Sequence, residues 1–214
     1  MRIPSISRRG FLAGSAGIAV VTVAAVLAAR RVRRPAVGTG GSAMVTSPYG
    51  PLRPVADLET SLPLLQLPEG FEYRSYSWSG DLMSNGLPTP DLHDGMGVIF
   101  AERRGAETEV VLVRNHERGF ANPILAPARY DAAVPFARFH PPGGGTTNLV
   151  FRGRRWISVE PSLGGTLVNC AGGSTPWGTW LSCEETTLDN TAAGGRRHGY
   201  VFEVRRDAAQ TTGR

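Results

Sequence analysis

Beyond residue 92 the hydrophobic positions fall in short runs that alternate with polar ones, the period of a half-buried β-strand. "GMGVIFAE" (95–102) and "TEVVLVRN" (108–115) are two such runs, and the turn-forming "RRGAE" between them predicts a hairpin. "TTNLVFRGRRWISVE" (146–160) repeats the form with Gly153 at its turn. "GGTLVNCAGG" (164–173) and "GTWLSCEE" (178–185) flank a loop containing Pro176, and "HGYVFEVRR" (198–206) adds a further strand. No run past the first 34 residues carries the 3.6-residue period of an amphipathic helix. Many short strands with glycine-rich turns predict an all-β domain: a sandwich, barrel or propeller.

The segments ahead of these strands differ in kind. Residues 57–92 hold several prolines and the turn-like "SNGLPTP", and are expected to wrap over a surface or cap a domain. Residues 35–56, rich in Gly, Ser and Pro, read as a linker. Residues 1–34 place a basic stretch before an apolar run from Phe11 to Ala29. Ser7-Arg8-Arg9-Gly10-Phe11-Leu12 matches the twin-arginine export signal. The run is also long enough to span a bilayer, so cleavage and retention as a membrane anchor both stay open. The expected partner is the twin-arginine translocase, the expected location periplasmic or extracellular, and the expected membrane contact only through an uncleaved leader.

Charge changes this picture little once it is located. The formal net charge is +5, and all 23 basic residues are arginine, which at first suggests a nucleic-acid or membrane-surface binder. Seven of those arginines lie in the first 34 residues, where there is no acid; without them the remainder carries −2. The basicity belongs to the leader, and nucleic acid is not an expected partner.

Candidate chemistry gathers at strand ends. "HDGMG" puts His93 and Asp94 ahead of two glycines, "RNHERG" puts Asn115, His116 and Glu117 after an apolar strand, and "SCEET" puts Cys183, Glu184 and Glu185 after "GTWL". Alternation lets Cys183 and Glu185 share a face while Glu184 points away. Carboxylates suit hard ions such as calcium, whereas a thiolate suits iron or zinc. Paired CxxC spacing is absent, which argues against a structural zinc ribbon. Cys170 and Cys183 are the chain's two cysteines, and a disulfide between them stays open on spacing alone. Gly143–Gly145 read either as an anion-binding nest of backbone N–H groups or as a flexible turn; no lysine follows, so this is not a P-loop.

Taken in order, the twin-arginine leader, "DGMGV", "VRNHE", "GGGTTNLVF", "GGTLVNCAGGSTPWGTWLSCEE" and "HGYVFEV" resemble the PhoX family of secreted alkaline phosphatases. The resemblance covers most of residues 93–204 and is most specific from Asn169 to Glu185. It implies a six-bladed β-propeller whose axial site holds ferric iron and calcium, with a cysteine thiolate among the iron ligands. The matching cysteine is then Cys183, with Glu184 or Glu185 as a carboxylate ligand, and Cys170 a buried small residue. Glu117 and Asp94 match acidic positions on the calcium side, and Asn148 a phosphate contact. Residues 57–214 would be the N-terminal part of that propeller. Family members run well beyond this chain, so the expectation is a front portion or a truncated product, inactive alone for want of its later blades.

Three functions are therefore weighed. The first is an exported phosphatase hydrolysing small phosphate monoesters with an iron/calcium cluster. The alternatives are a calcium-dependent propeller lactonase or phosphotriesterase, which needs no thiolate, and an inactive exported binding protein.

Overall fold

The computed structural model describes residues 47–208 and 211. The leader and the linker as far as residue 46 lie outside them. Among the described residues the fold is all-β, with a 3-10 turn at Thr191–Ala193, and no helix is long and apolar enough to cross a membrane. The strands form three open sheets.

The smallest sheet pairs β1 (Arg53–Val55), at the end of the segment read as a linker, with β2 (Leu65–Leu67). The largest holds β3 (His93–Arg104), β4 (Glu107–His116), β5 (Ala128–Arg129), β6 (Gly144–Arg152) and β7 (Arg155–Thr166), in the order β3-β4-β6-β7-β5. Both predicted hairpins are present. The β6–β7 connection is a two-residue turn in which Gly153 (φ 55°) and Arg154 (φ 66°) are both left-handed. That twist matches the strands it joins, and Gly153 adopts it without strain. The third sheet orders β10 (Val201–Val204), β9 (Trp180–Glu184) and β8 (Asn169–Ser174).

Alternation along β4 and β6 sends successive side chains to opposite faces of the five-stranded sheet. One face carries Ile99, Val111, Val113 and Leu163, which pack against Trp180, Phe202 and Val204 of the small sheet and against Tyr130. The other carries Leu149 and Val159, covered by Met83 with Tyr76, Leu87 and Trp156 around them. The Tyr76 and Trp156 rings stack with centroids 5.1 Å apart. Residues 57–92 thus cover a sheet face, as their composition predicts.

Gly143–Gly145 form neither an open nest nor a flexible turn. Gly143 leads into β6 and Gly144 and Gly145 start it, all three buried, and a Cβ on Gly145 would fall 2.0 Å from the Leu163 carbonyl. The glycines are there because strand backbones approach too closely for side chains. Trp177 is 69% exposed, with its indole N–H donating to Glu203, whereas Trp180 is a core residue.

Trp180 lies against two glycines. A Cβ on Gly97 would sit 2.6 Å from its Cζ3, and the ring cannot easily retreat because its Nε1–H donates to Asn115 Oδ1 at 3.0 Å. Gly97→Ala should therefore destabilise the domain by about 1–3 kcal/mol, the usual penalty for overpacking. Urea unfolding checks this; an unchanged midpoint would show that Trp180 yields freely.

Candidate metal centre

The antiparallel β3–β4 hairpin sets the start of β3 beside the end of β4, with His93 opposite His116. Asp94 and Glu117, the residues next along the chain, are thereby brought to one end of the sheet. A bulge between His93 and Met96 places Asp94 and Gly95 across from Asn115, re-aiming the Asp94 carboxylate. The start of β8 then docks on this corner. Asn115 Nδ2 donates to the carbonyls of Cys170 (2.9 Å) and Ala171 (3.0 Å), and Asn115 Oδ1 accepts from Ser182 Oγ at 2.9 Å. Gly95 makes the docking sterically feasible, since a Cβ there would lie 2.6 Å from the Cys170 carbonyl.

The result is a cluster. Ligand-type atoms of Asp94, Glu117 and Cys170 all lie within 4.8 Å of one another. Glu185 joins them as a hydrogen-bond partner of the Cys170 thiol. Burial, the hydrogen bond and charge of Asp94, and the charge of Glu185 raise Glu117 above the usual carboxylate range. Burial and hydrogen bonds to Asp94 and Glu185 push the Cys170 thiol up to about 11. Three carboxylates and a thiol that repel one another's ionised forms are relieved by a cation. Hard oxygen donors with one soft sulfur are also a workable ligand set for one. The cluster therefore fits a metal ion.

Two chain segments leading into the cluster are in left-handed conformations that non-glycine residues rarely adopt: Leu92 (φ 50°) and Val168 (φ 53°). Each stands two residues before a cluster member, Asp94 and Cys170 respectively. Behind the cluster, His116 is fully buried. Its Nδ1–H donates to the Asp91 carbonyl at 3.0 Å, and its Nε2 accepts from Thr147 Oγ1 at 3.0 Å. Burial, together with the charges of Arg114, His93 and Arg118, drives its pKa down to about 3, so it stays a neutral hydrogen-bonding residue. Burial and Arg114 also lower His93, whose Nε2 meets the Pro90 carbonyl at 2.8 Å.

The residues expected from sequence are distributed as follows. Asp94, Glu117 and Glu185 come together, and the cysteine among them is Cys170. Cys183 lies in β9 across from Val201, a free thiol raised by burial and by the charge of Glu185, outside the group formed by Asp94, Glu117 and Cys170. Cys170 and Cys183 are both free, with no disulfide between them. Glu184 is buried and already committed. One oxygen accepts from the Leu167 N–H (2.8 Å) and meets His198 Nδ1 (2.6 Å); the other accepts from the N–H groups of Gly199 (2.7 Å) and Tyr200 (3.1 Å). Asn148 stands three register positions from the His116–Gly145 pair, roughly 10 Å along the strands. Its amide donates to the carbonyls of Arg205 and Arg206, and its own buried carbonyl has no partner among the described residues.

A family model described as alkaline phosphatase PhoX matches residues 47–162 and 154–214. The chain belongs to the PhoX family of alkaline phosphatases. The match spans every described element, including those that supply Asp94, Glu117, Cys170 and Glu185. No curated protein and no solved structure matches the chain. PhoX proteins are metal-dependent, in keeping with the donor set gathered here.

Proposed function

We propose that this PhoX chain contributes to an exported, metal-dependent alkaline phosphatase that hydrolyses small phosphate monoesters with iron and calcium. The observation that carries the reading is the convergence of Asp94, Glu117 and Cys170 within 4.8 Å in a chain of this family. The strands are read as the N-terminal blades of a β-propeller. The leader is read as a twin-arginine signal that delivers the protein to the periplasm or beyond.

In this reading Asp94, Glu117 and Glu185 supply carboxylate oxygens, and Cys170 supplies the sulfur that favours iron over calcium at its position. Bound cations supply charge that neutralises phosphoryl oxygens, activates an oxygen nucleophile and steadies the leaving alkoxide. The chain's own part is positioning and proton release. Asn115 fixes the backbone of Cys170 and Ala171 from below. Cys170 Sγ must surrender its proton on loading, so metal uptake should be favoured by alkaline pH.

Elemental analysis of the exported protein, paired with hydrolysis of a chromogenic phosphate monoester at alkaline pH, tests the proposal. Iron together with calcium, and turnover that chelation removes, is the expected result. Calcium alone with lactone or phosphotriester hydrolysis would favour the calcium-dependent alternative. Absence of both metals and of turnover would leave a binding protein.

A further inference from the structure

Four potential ligands that repel one another need a scaffold that holds them together before any ion arrives. That scaffold converges on Arg118, the residue after Glu117. Its side chain reaches back to the first strained turn: Nε donates to Asp91 Oδ1 at 2.7 Å, just ahead of Leu92 and Asp94. Its Nη1 donates to the carbonyls of Asn122 (2.8 Å) and Gly143 (3.1 Å), which fixes the guanidinium in place. Its backbone carbonyl accepts from the Val168 N–H at 2.9 Å, at the second strained turn, just ahead of Cys170. Val168 in turn accepts from the Glu185 N–H at 2.9 Å, and the Glu117 N–H donates to the Leu92 carbonyl at 2.9 Å. Each of the four cluster residues is thus within two residues of a bond that leads to Arg118 in one or two steps.

Left-handed backbone at a leucine and a valine is strained and persists only where the surroundings enforce it. The backbone bond to Val168 survives any substitution at position 118. The side-chain bonds to Asp91, Asn122 and Gly143 do not. Their loss leaves the Asp91–Leu92 turn with its backbone ties to His116 and Glu117 alone, which loosens the aim of Asp94 toward Glu117.

We propose that Arg118 is a positioning residue of the metal centre, which through Asp91 holds Asp94 against Glu117 without itself touching metal or substrate. This rests on the reading of the cluster as a metal site. Loss of an outer partner of a ligand typically weakens metal affinity 10–100-fold, and that is the range expected for Arg118→Ala. Asp91→Asn, an isosteric change at an exposed side chain, should fold normally and weaken binding in the same direction. Because both act through one bond, the double variant should bind no more weakly than Arg118→Ala alone. Arg118→Lys should restore part of the affinity, since it keeps the charge that faces Asp91.

The experiment is calorimetric titration of calcium into the wild type, these variants and Glu117→Gln, with thermal unfolding of each metal-free protein alongside. Weakened binding in Arg118→Ala and Asp91→Asn, non-additive in the double variant and with metal-free melting close to wild type, is the expected result. Undiminished binding in Arg118→Ala, while Glu117→Gln loses it, overturns the positioning role and leaves the metal site standing. Additive losses that track a fall in metal-free melting would reduce Arg118 to general structural support. A wild type that binds neither calcium nor, in the same titration run without oxygen, ferrous iron overturns the metal reading and the role of Arg118 with it.

Discussion

Cys170→Ser should strip iron from the loaded protein while leaving calcium largely in place, and Cys183→Ser should change neither. The serine hydroxyl is close to the thiol in shape but does not ionise in the range where a thiolate forms, so the soft anionic ligand is lost with little steric change. Cys170 lies with Asp94 and Glu117 inside a 4.8 Å group and is hydrogen-bonded to Asp94 and Glu185; Cys183 is outside that group. Losing a direct ligand should cost more than the 10–100-fold that loss of an outer partner costs. Phosphatase turnover should therefore fall by about a hundredfold or more in Cys170→Ser. Elemental analysis and the absorption of an iron–thiolate bond read the outcome independently of turnover. Iron retained in Cys170→Ser and lost from Cys183→Ser would transfer the role to Cys183.

The sequence pattern favours Cys183 as the ligand, whereas the structure groups Cys170 with Asp94 and Glu117. Simple alternation through "SCEE" would put Cys183 and Glu185 on one face and invites both into one site, but β9 ends at Glu184. Alternation in β8 misleads, because the ladder opposite β9 shifts between Asn169 and Gly172 and the pleat cannot be counted through it. The glycines of "NCAGG" hint at that irregularity without giving its direction. Asp94 and Glu117 come together because both stand at strand ends across a hairpin, and a hairpin fixes which ends meet. The hairpins themselves were legible from alternation and from Gly105 and Gly153. The choice between Glu184 and Glu185 was not, since it depends on partners distant along the chain. Glu184 turns inward to His198, 14 residues on, and His198 continues to Asp131, 67 residues back. No local pattern announces such a contact, and neither Asp131 nor His198 stood out in the sequence.

The same buried chain of groups gives the second large effect. His198 lies between two carboxylates, Nδ1 to Glu184 at 2.6 Å and Nε2 to Asp131 at 3.2 Å, with all three side chains at most 2% exposed. It joins β9 to the Asp131 loop, where Asn190 Nδ2 and the Ala133 and Arg196 N–H groups also donate to Asp131. Removing the central imidazole would leave two buried carboxylates facing each other's charge. Breaking a buried pair this way typically costs about 3–5 kcal/mol, a large part of the ~5–15 kcal/mol that holds a domain folded. His198→Gln should be destabilised on that scale while Glu185, next to Glu184, loses its fixed base. The pH dependence carries a definite sign. Burial pushes the His198 pKa down, but the hydrogen bonds and charges of Glu184 and Asp131 outweigh it, and the net shift is upward from 6.5. A raised folded-state pKa means that the charge-dependent stability is complete below the unfolded value and is lost as pH rises through the folded one. Asp131 works in the opposite direction and in a separate window: backbone and side-chain hydrogen bonds outweigh its burial and hold its pKa below 3.8, so its contribution is lost only in acid. Between these windows the stability gap between wild type and His198→Gln should be widest near pH 5–6 and narrow toward pH 9. Urea unfolding of both proteins across that range reads the gap directly. A gap that stays constant, or widens with rising pH, would mean that His198 is neutral in the folded protein and that the buried carboxylates are held by their other donors alone.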